Sequence, residues 1–166
     1  MALYTACSAS VATTTPPGVI TLGAASVTTI LQIATPSTQD ITLVDWGVSF
    51  NGAAPAQAVQ CEIFGTTVAA TSMNSLTPTG LDASGVNRAS LCVGGTGATA
   101  YYKSGQSEGT VANYRQFDLQ LVDPAVGYFK QWPLGFQPYA ALSTYVRIRV
   151  TAPAAVGVYG FVSWTE

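Results

Sequence analysis

The sequence predicts an all-β chain, folded as an antiparallel β-sandwich of jelly-roll-like type, and three observations carry that prediction. Helical periodicity is nearly absent along the 166 residues, while Thr, Val, Ile, Tyr and Phe are frequent. Several segments alternate apolar and polar residues with a period of two, the repeat of a half-buried strand. Gly, Pro, Asn and Asp interrupt the chain at short intervals, as hairpin turns require and helices do not. About seven or eight strands account for the pattern. The length suits one domain, and a chain of this size buries roughly 68–70% of its unfolded surface, enough for a core without staples. The expected division is an extended N-terminal arm over residues 1–18 and a single sandwich over residues 19–166, interrupted by a long central loop excursion.

Each element follows from local composition. Residues 5–18 are small and uncharged and end in Pro16-Pro17-Gly18. They are expected outside the core, as part of an arm that orders on contact with a neighbour. Residues 27–34 read as the first clear strand, closed by the turn Thr35-Pro36-Ser37. In residues 41–50, Thr42, Val44, Trp46, Val48 and Phe50 share one face, and Ile41, Leu43 and Asp45 the other. Both faces are partly apolar, so this strand is expected to be covered on both sides. Gly47 beside Trp46 marks a bulge or a close backbone approach, and Asn51-Gly52 is a turn pair. Residues 58–64 alternate, with Val59, Cys61 and Ile63 inward and Gln60 and Glu62 outward.

The excursion over residues 66–110 is rich in Gly, Ser, Thr and Ala. It is too long for a free loop in a compact domain, so short strands are expected near 89–93 and 98–103. It is also a place to expect function. Residues 114–122 form a strand with Phe117, Leu119 and Leu121 on one face, turned by Asp123-Pro124. Residues 128–132 lead into an aromatic corner, Trp132-Pro133-Leu134-Gly135-Phe136. Residues 145–151 alternate, with Val146, Ile148 and Val150 inward and Tyr145, Arg147 and Arg149 outward; residues 157–164 form the last strand.

Chemistry is scarce in this chain. It has no histidine, 8 acidic and 6 basic residues, and charged residues make up 8% of it, against about 25% in a typical domain. Without histidine there is no Ser-His-Asp or Cys-His triad, and Lys103-Ser104 are strand neighbours that point to opposite faces. Asp45 and Glu62 fall on strands expected to be neighbours, the arrangement a carboxylate pair would need. The competing reading pairs a carboxylate with Arg147 or Arg149. Asp118, Asp123 and Glu108 lack the dense Asp/Asn/Gly spacing of a calcium loop. Gly94-Gly95-Thr96-Gly97 lacks the Lys-Ser/Thr and the helix of a phosphate loop. The three cysteines, Cys7, Cys61 and Cys92, are widely spaced, which argues against zinc; Cys61 reads as a small buried hydrophobe. No catalytic residue, metal site or cofactor is expected.

The same scarcity points to partners. The six cations (Arg88, Lys103, Arg115, Lys130, Arg147 and Arg149) are scattered, which argues against nucleic acid. No apolar run approaches the length of a membrane span, and residues 1–5 lack the cationic stretch that opens a signal peptide. A surface with so little charge has weak repulsion between molecules and suits life inside an assembly. The candidate interface residues are Leu3, Tyr4, Pro16 and Pro17 in the arm, and the loop aromatics Tyr101, Tyr102, Trp132, Phe136 and Tyr139.

Asp45-Trp46-Gly47-Val48-Ser49-Phe50-Asn51-Gly52, Val59-Gln60-Cys61-Glu62-Ile63, Ser107-Glu108-Gly109-Thr110, Phe117-Asp118-Leu119-Gln120-Leu121 and Lys130-Gln131-Trp132-Pro133-Leu134-Gly135 follow one another in order. The ending runs from Val146-Arg147-Ile148-Arg149-Val150-Thr151-Ala152 to Ser163-Trp164-Thr165-Glu166. Together, from about residue 40 onward, they resemble small head proteins of tailed bacteriophages, particularly phages of actinobacteria. The resemblance implies a capsid decoration (cement) protein or related minor head component. Its partners would be the major capsid protein of the phage head and further copies of itself, as a homotrimer. It would be made in the host cytoplasm and end on the capsid exterior. It carries over no contact residues. A phage tail or baseplate component fits the same sandwich, and so does a carbohydrate-binding module using Trp132, Tyr139 or Tyr101.

Overall fold

Strands dominate the computed structural model, which describes residues 3–8, 19–51, 57–71, 73–76, 78–81, 99–103, 108 and 110–166. In chain order they are β1 (Leu3–Cys7), β2 (Ile20–Leu22), β3 (Ser26–Ala34), β4 (Ile41–Asn51), β5 (Val59–Thr66), β6 (Met73–Leu76), β7 (Thr79–Gly80), β8 (Thr99–Lys103), β9 (Arg115–Val122), β10 (Tyr128–Gln131), β11 (Tyr139–Ala140), β12 (Tyr145–Ala152) and β13 (Val156–Thr165). No helix occurs among the described residues. One sheet runs β10-β4-β13-β1-β7, with β11 also beside β4 and β2 beside β13; the other runs β6-β8-β3-β12-β5-β9. The two pack as an antiparallel β-sandwich.

The core lies between the sheets. Leu31 and Ile33 of β3, Leu43, Trp46 and Val48 of β4, Val59, Cys61 and Ile63 of β5, Val146, Ile148 and Val150 of β12, and Val158, Val162 and Trp164 of β13 are all buried in it. The inward sets read from alternation in β5 and β12 are therefore correct. The strands beyond the expected number, β1, β2, β6, β7 and β11, have five residues or fewer. Too few alternations fit in such lengths to register as a period. The short strand expected near 98–103 is β8; the one near 89–93 lies outside the described residues.

Three expectations need correction. Leu3–Cys7 is not a free arm. β1 pairs with β13 on one side and β7 on the other, and Tyr4 and Ala6 are buried in the core. The Tyr4 ring stacks on Trp164 at 6.0 Å between centroids. Small uncharged residues suit an inner strand as well as an arm, and composition alone does not separate the two. Residues 9–18, with Pro16 and Pro17, lie outside the described residues.

The face assignment in β4 fails at a bulge. Ser163 lies opposite Asp45 but Trp164 lies opposite Leu43, so Val44 is an extra residue. One inserted residue swaps the faces of everything before it. Ile41 and Leu43 therefore join Trp46 and Val48 inside. Gly47 is the close approach expected of it: a Cβ there would sit 2.7 Å from the Phe161 ring and 2.8 Å from the Tyr128 carbonyl oxygen. The same device reverses β9. Ile63 faces Asp118 and Phe64 faces Gln116, leaving Phe117 extra. Phe117 still packs on the core. Beyond it Asp118 and Val122 are buried, while Leu119 and Leu121 face out.

The turn after β9 positions everything that follows. The Asp123 carbonyl accepts from the N–H groups of Val126 and Gly127 at 3.1 Å each, and its carboxylate accepts from Ala125 N–H at 2.9 Å. Gly127 has φ +75°, and a Cβ there would lie 2.8 Å from the Val48 carbonyl oxygen. This tight turn joins β9, the edge of one sheet, to β10, the edge of the other. Both edges thus lie on one side of the sandwich.

Candidate functional site

Among the described residues, paired charge is concentrated in two buried clusters. The first covers the outer face of the six-stranded sheet. Arg147 points away from the core, as alternation predicts, yet its side chain is 0% exposed. Residues 66–71, 108 and 110–114 lie above it. Its guanidinium donates to the Val68 and Thr110 carbonyls (3.3 Å each), the Glu108 carbonyl (2.7 Å), the Glu108 carboxylate (2.5 Å) and Thr29 Oγ1 (3.1 Å). A planar fork with five donors can tie several carbonyls at once, which a lysine cannot.

Beside it, Arg149 Nε donates to Glu62 Oε1 at 2.6 Å, and Tyr114 Oη donates to Glu62 Oε2 at 2.6 Å. The Phe64 ring lies under both guanidiniums, 4.6 Å from Arg149 and 5.5 Å from Arg147. Polar contacts fasten the covering segments further: Thr66 Oγ1 donates to the Ala112 carbonyl (2.6 Å), and Ala70 N–H donates to Gln32 Oε1 (2.7 Å). Burial, opposed by Glu108 and reinforced by Arg149, pulls the Arg147 pKa below its ordinary value. Burial and then Glu62 push Tyr114 up to about 12. Cys61, on the core side, is pushed up to about 12 by burial and then by Glu62, which leaves it an inert thiol.

The second cluster sits between the two sheet edges. Buried Asp118 accepts from Trp46 Nε1 (3.2 Å), Tyr128 Oη (2.9 Å) and Gln120 Nε2 (3.0 Å), and pairs with Lys130 Nζ (3.1 Å). Burial alone would raise the Asp118 pKa. The hydrogen bonds from Gln120, Tyr128 and Lys130 and the Lys130 charge outweigh it and hold the carboxyl below its ordinary value. Tyr128 is pushed up to about 12 by burial and by Asp118.

The remaining feature is an exposed apolar strip. β10 and β11 both pair with the same side of β4, joined by the corner at residues 132–138. Gly135, at φ +84°, and the Phe136 N–H to Pro133 carbonyl bond of 3.0 Å close that corner as a tight turn, which throws Leu134 and Phe136 outward. Leu134 is 88% exposed, Val126 84%, Phe136 80% and Phe129 61%; Tyr139 and Leu142 are about half exposed. Among the described residues, six of the twelve exposed large hydrophobics thus fall between Val126 and Leu142, a stretch whose single charge, Lys130, is turned to Asp118. Phe129 stacks on Phe161 at 6.1 Å over Gly47. Beside that pair a groove of about 440 Å³ runs between Val126 and Tyr159.

The candidate residues read from the sequence divide among these regions. Phe136 and Tyr139 lie on the strip. Trp132 lies within it but is 8% exposed, with Lys130 Nζ 5.7 Å from its ring centroid. It caps the core, and little of its ring is open to a sugar. Tyr4 is a core residue and Leu3 is half-buried, so neither is a free interface residue. Tyr101 and Tyr102 are placed in β8 opposite Gln32 and Leu31. Asp45 and Glu62 are not neighbours: β4 and β5 belong to different sheets. Glu62 pairs instead with Arg149. Among the described residues no group of three or more Cys, Asp and Glu could hold a metal ion, and no helix is long and apolar enough to cross a membrane.

Sequence reasoning passes over Val126, Phe129, Leu134 and Leu142. A signal for Leu134 is present: an apolar residue between Pro133 and Gly135 at a turn tip has nothing to pack under. The Arg147–Glu108 pair has no such signal, because Glu108 lies in a stretch without periodicity. No family model, no curated protein and no solved structure matches this chain.

Proposed function

We propose that this chain is a structural virion protein: a capsid decoration protein that binds and reinforces the outer surface of a phage head, as a homotrimer on the major capsid protein. The observation that carries this reading is where charge sits. Glu62, Glu108, Arg147 and Arg149 are tied together within the fold, as are Asp118 and Lys130, while the exposed strip from Val126 to Leu142 is neutral and apolar. A protein that works by holding neighbours needs a rigid sandwich and an adhesive surface, and this arrangement supplies both. The resemblance to phage head proteins supplies the partner.

The reading assigns no reaction and no cofactor. Glu62, Glu108 and Asp118 are each paired with a cation within the fold, and the Asp118 carboxyl is held below its ordinary value, which suits structure better than proton transfer. Mixing the purified protein with phage heads that lack it tests the proposal. Saturable co-sedimentation with heads, and antibody labelling on the head of intact virions, are expected. Labelling on the tail, or no affinity for heads, overturns it.

A further inference from the structure

We infer that the strip from Val126 to Leu142 docks a second copy of this chain, so that it is the subunit contact of an assembly and not the face that meets the shell. The inference rests on the reading of this protein as an assembling subunit. Three observations carry it.

The first is area. Six side chains of this size, half to nine-tenths exposed, present on the order of 700 Å² of apolar surface. Summed over the six, that is of the order of the roughly 300–600 Å² of the largest patch on a typical monomer. It approaches the roughly 800 Å² that each partner contributes to a standard interface.

The second is charge. Within residues 126–142 the single charge, Lys130, is held by Asp118 at 3.1 Å, and at the margin the exposed Arg115 guanidinium lies over the Tyr139 ring at 4.8 Å. A strip with one cation at its margin is matched best by a largely apolar surface, and another copy presents one at the same concentration.

The third is the edge. β10 is the terminal strand of its sheet. No proline and no bulge interrupts Tyr128–Gln131, whose register with β4 is unbroken, so the edge is guarded only by its four-residue length and by Lys130 turned to Asp118. Its outward ring, Phe129, invites cover.

Leu134→Ser with Phe136→Ser in the full chain tests this. Both residues stand clear of the core, so the fold should survive, which circular dichroism and the melting temperature check. Light scattering on the unaltered chain at tens of micromolar should give a multiple of the single-chain mass. The double variant should raise the dissociation constant of that assembly at least tenfold. Val27→Ser, at an exposed site on β3 away from the strip, should leave it unchanged and serves as control. A wild-type chain that stays monomeric, or an assembly indifferent to the double variant, overturns the inference. Head binding is read in parallel. A double variant that is monomeric yet still binds heads supports the inference and leaves the decoration reading intact. Loss of head binding with the assembly unaltered makes the strip the shell contact and overturns the inference. An assembly that dissolves in the variant, from a protein that never binds heads, supports the inference and removes the decoration reading.

Discussion

The two sides of this sandwich solve opposite problems. On the outer face of the six-stranded sheet, two chain crossings are fastened down by Arg147, Arg149, Glu62 and Glu108, and the charges are largely withdrawn from solvent. Along the edge of the seven-stranded sheet Asp118 holds only the inward side chains of Tyr128 and Lys130, and Leu134 and Phe136 stand in water. The difference teaches that charge in this molecule is an internal fastener. Burying ions is costly unless they are paired and hydrogen-bonded, and six of the 14 charged residues are committed to the two clusters.

Breaking the fastened side should have the largest effect. Arg147→Met leaves the Glu108 carboxylate and three carbonyls without their donor in a buried site. The expected loss is about 3–5 kcal/mol, as for breaking a buried pair from one side, read as a lower denaturation midpoint. Arg147→Lys should recover little of it, since an ammonium cannot reach Val68, Thr110 and Glu108 together. Full recovery by lysine would show that charge alone, and not the fork, holds the crossings.

Asp118→Asn tests the smaller cluster. Hydrogen bonds to a charged group contribute about 1.5–3 kcal/mol, and a loss in that range is expected at neutral pH. The sign with pH follows from the lowered Asp118 pKa. The folded state holds the carboxylate more readily than the unfolded chain does. Its stabilisation is therefore present above the unfolded value, about 3.9, and fades as pH falls below that toward the folded value. Denaturation across that range should show a steeper acid loss in the wild type than in the asparagine variant.

The alkaline limb compares the clusters through their phenols. Tyr114 and Tyr128 are both pushed up to about 12, against about 10 in an unfolded chain. A raised folded pKa means stability that is intact below about pH 10 and lost as pH climbs from there toward 12. Phenolate absorbance should place these two titrations near pH 12. Tyr114→Phe should flatten the loss for the Glu62 cluster and leave that of Asp118 in place. Equal flattening of both would mean that the clusters are coupled through the core.

How much of this is legible in the sequence depends on what a period can record. β5 and β12 pair with each other in an unbroken register, and their inward residues can be read directly from the apolar alternation in the sequence. β4 and β9 carry a single extra residue each, Val44 and Phe117, and beyond that residue the pattern inverts, which alternation has no means of marking. Alternation misplaces Leu119 and Leu121 for that reason. Leu3–Cys7 reads as an arm because five residues carry no signature separating an inner strand from one. Phe136 and Tyr139 stand out correctly as candidates, since aromatics beside Pro and Gly have few places to hide. The buried arginine is beyond reach: Arg147 does sit on the outward face, and only the covering segments, brought from 37 and 79 residues away in sequence, make that face an interior.

The smallest effect on stability should come from the strip, and that smallness separates a surface built for partners from one built for folding. Leu134 and Phe136 are 88% and 80% exposed, so Leu134→Ser and Phe136→Ser remove little buried area. Surface substitutions of this kind usually fall within about 0.5 kcal/mol. Measured in denaturant at a concentration low enough to keep the chain dissociated, both should unfold with the wild-type midpoint and slope. At high concentration the wild type alone should gain stability with concentration, because association stabilises whatever it binds. A loss above about 1 kcal/mol in the dilute chain would mean that these side chains pack within their own molecule. The contrast between a fastened face and an open edge would then fail at its open end.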